Sequence, residues 1–238
     1  MPGHFECSGS ALKVLAMAVM VVDHTASRLL CGQPEFLEPL MTVGDRTVTW
    51  LFLMRCVGRL GFPLFAFLLV EGFLHTRNLR RYCCSILLLA LLSEVPYDLF
   101  RQGVVAVPGV NALFTLLLGL LALSAIHRWE QRRLAACWLA VVLFAVIITA
   151  MLLRCDYGSS GVMFVVMLYV LGRQHVVQAA IGATMLPLGL VSALAFIPIS
   201  LYNGQRGFIR GTIGKYIFYS FYPLHLLALY FLKLYLQN

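Results

Sequence analysis

The chain alternates between long apolar stretches and short polar connectors from one end to the other. Apolar runs occupy about 11–30, 48–74, 79–99, 111–126, 134–153, 160–172, 176–201 and 216–236. Several approach the roughly 20 residues that a helix needs to cross a bilayer. The pattern therefore predicts an all-α, polytopic transmembrane helical bundle of about 8–10 membrane segments. The first run has no small-residue cleavage site behind it and reads as a span, not a removable signal peptide. No internal repeat is evident and no stretch remains for a water-soluble unit, so residues 1–238 read as a single integral-membrane domain.

The connectors orient the bundle. "HTRNLRR" (75–81), "HRWEQRR" (127–133) and "GRQH" (172–175) are rich in arginine, whereas "CGQPEFLEPLMTVGD" (31–45), "DLFRQGVVAVPG" (98–109) and "RCDYGSSG" (154–161) are acidic or balanced. Cytoplasmic loops carry the excess of Lys and Arg, which puts the first set, Lys13 and the N-terminus on the cytoplasmic side of a bacterial inner membrane. One connector breaks the alternation: "NGQRGFIRGTIGK" (203–215) is basic, yet a simple count of eight spans puts it outside. The long 176–201 run holds Pro187 and Gly189 at its centre. Splitting it there into a re-entrant or tightly turned pair returns the basic loop to the cytoplasm and gives nine membrane segments, a count this reading favours.

Composition agrees with a lipid solvent. Hydrophobic residues make up 61% of the chain and charged residues 12%, about half the share usual in soluble domains. The net charge of +8 is accounted for by the cytoplasmic arginines, and no compact basic domain is present to dock a nucleic acid. Seven cysteines lack any C-x-x-C spacing, so no metal site is expected. Cys31 and Cys155 fall on one side of the membrane, but spacing alone does not establish a disulfide.

Against this background "VMVVDHT" (19–25) stands out, because Asp23 and His24 lie in mid-span. Ionisable side chains there are costly and usually face the bundle interior or a cavity. At 1.5 Å of rise per residue, His24 is about 16 Å beyond Lys13 and His225 about 15 Å beyond Lys215, so both fall near mid-membrane. Asp23 and His24 point about 100° apart and are expected to serve different neighbours; Ser27, one turn on, is a candidate partner for Asp23. A second constellation is complementary in charge: Arg55 and Arg59 on one run, Glu94 and Asp98 on the next, each pair spaced i,i+4. Arg59 and Asp98 come out about 27 and 26 Å from the cytoplasmic face, a level at which ion pairs between the two runs are expected. Pro96 lies between the acids and suits a kink beside a cavity. Asn111, Thr115 and Gly119 form a polar, small-residue stripe suited to close helix packing.

Several blocks resemble the TraX family, whose namesake acetylates the N-terminus of conjugative F-pilin. They are "LKVLAMAVMVVDHT", "GRLGFPLFAFLLVEGFLHTRNLRRY", "ALLSEVPYDLF", "NALFTLLLGLLAL" and "YNGQRG…KYIFYSFYPLHLLALYFL", covering about 11–126 and 202–236. The family in turn resembles polytopic membrane acyltransferases such as the acyltransferase-3 proteins and heparan glucosaminide N-acetyltransferase. That likeness rests on an intramembrane histidine on an early helix and a late "Tyr…His" pattern, here His24 with Tyr222 and His225. The resemblance implies transfer of acetyl from cytoplasmic acetyl-CoA, as co-substrate, to an acceptor such as a protein N-terminus or a glycan. His24 would act as base or acetyl carrier, with Asp23, Glu94 and His225 as catalytic partners. Arg55, Arg59, Asp98, Asn111 and Tyr222 would serve substrate and charge pairing, and Arg77, Arg80, Arg81, Arg206 and Arg210 would form a phosphate-binding rim. The same buried groups also suit a proton relay in a small proton-coupled transporter. A non-enzymatic membrane scaffold is the third reading, and it would need no histidine at mid-membrane.

Overall fold

A computed structural model of the chain describes residues 6–44, 46–106, 108–133, 135–209 and 211–237. Helix α1 (Gly9–Thr25) starts at Ser8, whose hydroxyl accepts from the Ala11 N–H, and runs on into a π-helical turn, Ala26–Leu30. A short α2 (Pro34–Leu37) and a hairpin, β1 (Pro39–Val43) with β2 (Arg46–Thr49), lead into α3 (Trp50–Gly58) and α4 (Gly61–His75). There follow α5 (Leu79–Gln102), α6 (Ala112–Arg132), α7 (Ala136–Leu152), α8 (Gly158–Leu171), α9 (His175–Met185), α10 (Gly189–Ala193), α11 (Phe196–Ser200) and α12 (Gly211–Gln237).

The expected helical membrane bundle is what forms. Among the described residues five helical stretches are long and apolar enough to cross a bilayer: Gly9–Leu30, Trp50–His75, Leu79–Gln102, Ala112–Arg132 and Ile213–Gln237. Shorter apolar helices cover Ala136–Leu152, Gly158–Leu171 and Gly189–Ser200. Two details depart from the run pattern. The connector after the first span contains a two-stranded antiparallel hairpin. The second run is also interrupted at Arg59–Leu60, between α3 and α4, although both residues keep right-handed helical dihedrals.

The 176–201 run breaks at Pro187, as its composition requires. Leu188 takes a left-handed backbone with φ of 51°, and α10 and α11 fold back along α9. Eleven residues of α9 rise about 16 Å, too little to cross. The pair is therefore re-entrant, and the chain leaves it on the side it entered. The N-terminal segment meets it there: Cys7 N–H donates to the Leu201 carbonyl at 2.8 Å and Gly9 N–H to the Gln205 carbonyl at 2.8 Å. The basic 203–209 segment and the residues that lead into α1 thus share one face, the N-terminal face.

Close approach of α6 and α8 forms the densest part of the core. A Cβ on Gly119 would stand 2.8 Å from Val165 Cγ1, and one on Gly161 would stand 2.6 Å from Thr115 Cγ2. The Asn111–Thr115–Gly119 stripe is therefore a packing seam. It is continued by Leu116, Leu120 and Leu123 against Phe164, Val165 and Leu168. Cys31 and Cys155 are both free thiols, the first exposed and the second buried, so no disulfide links them.

Candidate functional site

The bundle encloses a cavity of about 920 Å³. Gly9 and Arg28 both line it, 19 residues apart on one helix, so it follows about 28 Å of the α1 axis. It reaches from the N-terminal face toward the opposite one. Lys13, Glu71, His75, Tyr202, Arg206 and Lys215 line the N-terminal end, Asp23, His24, Arg59, Tyr157 and Tyr222 the middle, and Arg28, Arg101, Arg154 and Asp156 the far end.

The two histidines expected at one depth meet there. His24 Nδ1 lies 2.7 Å from His225 Nε2, with the rings within 3° of parallel. His225 Nδ1 lies 2.9 Å from the Phe221 carbonyl oxygen. A carbonyl only accepts, so His225 carries its proton on Nδ1 and presents a bare Nε2. His24 must then donate from Nδ1, which leaves its own Nε2 as an unprotonated lone pair in a side chain that lines the cavity. Phe100 closes one side of this dyad, its ring centroid 5.0 Å from that of His24. Tyr222, one helical turn from His225, stands 5.6 Å from its ring.

Asp23 serves a different neighbour from His24, as the helical spacing requires. Its Oδ2 accepts from Arg55 Nη1 of α3 at 2.8 Å, while Oδ1 is buried without a hydrogen-bond partner. Gly58 makes this approach possible, because a Cβ there would fall on the Asp23 carboxylate. The suggested link from Asp23 to Ser27 does not form; the Ser27 hydroxyl donates to the His24 carbonyl at 3.1 Å. Arg59 faces the 154–157 connector, where it acts on Asp156 and on the Tyr157 hydroxyl.

The expected exchange between Arg55/Arg59 and Glu94/Asp98 is thereby corrected. Matching depth did not imply matching faces: Arg55 turns to α1, Glu94 to the cap of α6 and Asp98 to the α5–α6 connector. Glu94 holds Asn111, whose side-chain amide donates to Glu94 Oε2 and to the Ala90 carbonyl, while Asn111 Oδ1 caps Leu113 N–H at 3.0 Å. Asp98 Oδ2 accepts from Ala106 N–H at 2.8 Å. Glu94, Asp98 and Asn111 do not line the cavity; they tie the α5–α6 connector together.

Of the arginines expected to form a rim, Arg206 lines the cavity, whereas Arg77, Arg80 and Arg81 are exposed at the start of α5 and lie off it. Arg210 lies outside the described residues. Two lysines read only as topology signals join Arg206 at the N-terminal mouth: Lys13 Nζ sits 5.1 Å over the Phe218 ring and Lys215 Nζ 5.2 Å over that of Tyr219. Tyr202, in the connector there, is held protonated. Burial first, and then Glu71, push its hydroxyl up to about 12, so it remains a donor at the mouth. Among the described residues no cluster of His, Cys, Asp and Glu suits a metal ion. Sequence reasoning missed Arg28, Asp156 and Tyr157. Arg28 was findable, because it lies one turn beyond His24 on the same helix face; the other two lie in a connector with no period to read.

No solved structure matches the chain. A probable fimbrial assembly protein, FimC of serogroup H1 from Dichelobacter nodosus, is 30% identical across the full length of both chains. The sequence model of the TraX protein family matches residues 8–233, nearly the whole chain. The chain belongs to the TraX family.

Proposed function

We propose that the chain is a membrane-embedded acetyltransferase that moves acetyl from cytoplasmic acetyl-CoA to an acceptor in the cell envelope, a pilin-like protein N-terminus or a glycan. The observation that carries this reading is the His24–His225 dyad, with the bare Nε2 of His24 on a cavity that runs along α1. Acetyl-CoA is too highly charged to enter lipid. Its phosphates would stay at Lys13, Arg206 and Lys215, on the face that the positive-inside rule assigns to the cytoplasm, while the pantetheine arm reaches inward.

In the transfer step the acceptor's N–H or O–H gives its proton to His24 Nε2 as the heteroatom attacks the thioester carbonyl. The tetrahedral intermediate then collapses, its C–S bond breaks, and the CoA thiolate leaves with that proton as the free thiol. His225 assists because His24, once charged, donates a stronger Nδ1–H bond to the waiting His225 Nε2. Asp23 holds Arg55 beside this site. The fimbrial assembly relative suits an envelope acceptor.

The continuous cavity also favours a second reading, proton-coupled transport, and the two differ in one physical requirement. Transport needs two compartments, whereas transfer proceeds in a detergent micelle. Purified protein incubated in detergent with radiolabelled acetyl-CoA and envelope extract should pass label to an acceptor and release free CoA thiol. Mass spectrometry should then show that acceptor heavier by one acetyl group. Transfer absent in detergent from protein that still binds acetyl-CoA would overturn the reading.

A further inference from the structure

The far half of the cavity carries charge of a sign that topology does not explain. Five arginines and two aspartates line it, a formal excess of three positive charges. The positive-inside rule places arginines on the other face, and guanidinium groups in a protein-lined space are costly without partners. Asp23 neutralises Arg55. Asp156 faces Arg59. Arg28 and Arg101 are held by weak or neutral contacts: Arg28 lies 5.5 Å over the Phe100 ring, and Arg101 lies 5.9 Å over Tyr97 and donates to the Pro108 carbonyl at 3.3 Å. The Nε atoms of both Arg28 and Arg59 are buried with no hydrogen-bond partner. Arg154 is displayed at the rim from a left-handed backbone with φ of 50°, a strained conformation of the kind that clusters at ligand sites.

We infer that this half of the cavity is an oxyanion-binding subsite, with Arg28, Arg59, Arg101 and Arg154 receiving a phosphoryl group. A single carboxylate would leave much of the excess uncompensated. A phosphate carries more charge on three or more acceptor oxygens, and arginine matches it by paired N–H donors. The position is functionally placed. Arg28 is one turn beyond His24, and Phe100 touches both side chains. A molecule anchored by its phosphate on Arg28 and Arg59 would therefore hold a neighbouring hydroxyl or amine at His24 Nε2. That the ligand is the acetyl acceptor rests on the proposed function; the anion site itself does not. The phosphate can come from a soluble phosphorylated compound or from a lipid headgroup.

The test uses delipidated full-length protein in nonionic detergent, titrated with inorganic pyrophosphate by calorimetry, and the same protein in nanodiscs of phosphatidylcholine doped with phosphatidylglycerol. Retained lipid is read in the nanodisc arm by native mass spectrometry. Arg28→Gln and Arg154→Gln are each expected to weaken binding in at least one arm by about tenfold or more. Arg206→Gln, at the opposite mouth, should leave that component in place. Loss in the pyrophosphate arm identifies a soluble source, and loss in the lipid arm a headgroup. If Arg28→Gln does not insert, Arg28→Lys and Arg59→Lys replace it and should weaken binding less than Arg154→Gln. Binding in both arms that ignores all these variants, or that vanishes with Arg206→Gln alone, overturns the site. Because no acetyl donor is present, failure here is distinct from failure of the transfer reaction.

Discussion

His24 is useful because of what its partner prevents. A solitary imidazole presents either nitrogen to a substrate, but the chain from Phe221 through His225 commits His24 to an Nδ1–H and a bare Nε2. On the proposed chemistry, His24→Ala should insert and fold yet lose transfer by about 10²–10⁴-fold, the usual contribution of a general base. Rates with saturating acetyl-CoA provide the check, and parental turnover would rule out the role. His225→Ala should lower turnover without changing acetyl-CoA affinity. The double variant should be little worse than His24→Ala, since residues acting as a unit are not additive. His225→Gln, whose amide oxygen can still accept from Nδ1–H, should recover part of the loss. Independent effects of the two substitutions would disprove the dyad.

Three contacts between helices rest on a small side chain or a capped end. Gly58 admits Asp23 beside α3, and Gly119 admits Val165 between α6 and α8. Gly58→Ala should displace the Asp23 carboxylate from Arg55, and Gly119→Val should overpack the seam, each costing about 1–3 kcal/mol. Melting in detergent measures the loss, and unchanged melting of Gly119→Val would show that the seam is looser than described. Asn111 caps α6 while holding Ala90 and Glu94 of α5. Asn111→Ala should therefore destabilise by more than the ~1 kcal/mol of an ordinary cap. Glu94→Gln retains an acceptor for the Asn111 amide and should cost less than Glu94→Ala. A catalytic Glu94 would instead make Glu94→Gln fatal to activity without affecting melting.

The re-entrant α9–α11 pair decides the topology. Cys7 and Gln205 meet the same face because the chain returns at Pro187, not because it crosses. In a cysteine-free background, single cysteines at Glu6 and Gln205 should react with the same membrane-impermeant reagent from one side, and a cysteine at Gln33 only from the other. Labelling of Gln205→Cys with Gln33→Cys would overturn the arrangement. At the N-terminal mouth, Arg206→Gln with Lys215→Gln should weaken acetyl-CoA binding more than Arg77→Gln with Arg80→Gln. Added salt should reduce the difference, as phosphate contacts there are screened.

Hydropathy alone was enough for the helical bundle and, through Pro187 and Gly189, for the break that keeps the basic 203–209 segment on the N-terminal face. Both follow from local physics: lipid demands helices, and proline ends one. The common depth of His24 and His225 was legible for the same reason, since rise along a helix is fixed by its backbone. Azimuth was not legible. Arg55 and Arg59 were at the right height for Glu94 and Asp98, yet the turn of each helix gave Arg55 to Asp23 and Glu94 to Asn111. Which face meets which neighbour is a property of packing among distant segments, not of spacing along one. Asp156 and Tyr157 were invisible because they sit in a connector that no period describes. For the same reason three arginines expected to line a rim lie off the cavity, while Lys13 and Lys215, whose charge had seemed to need only topology to explain it, line its mouth.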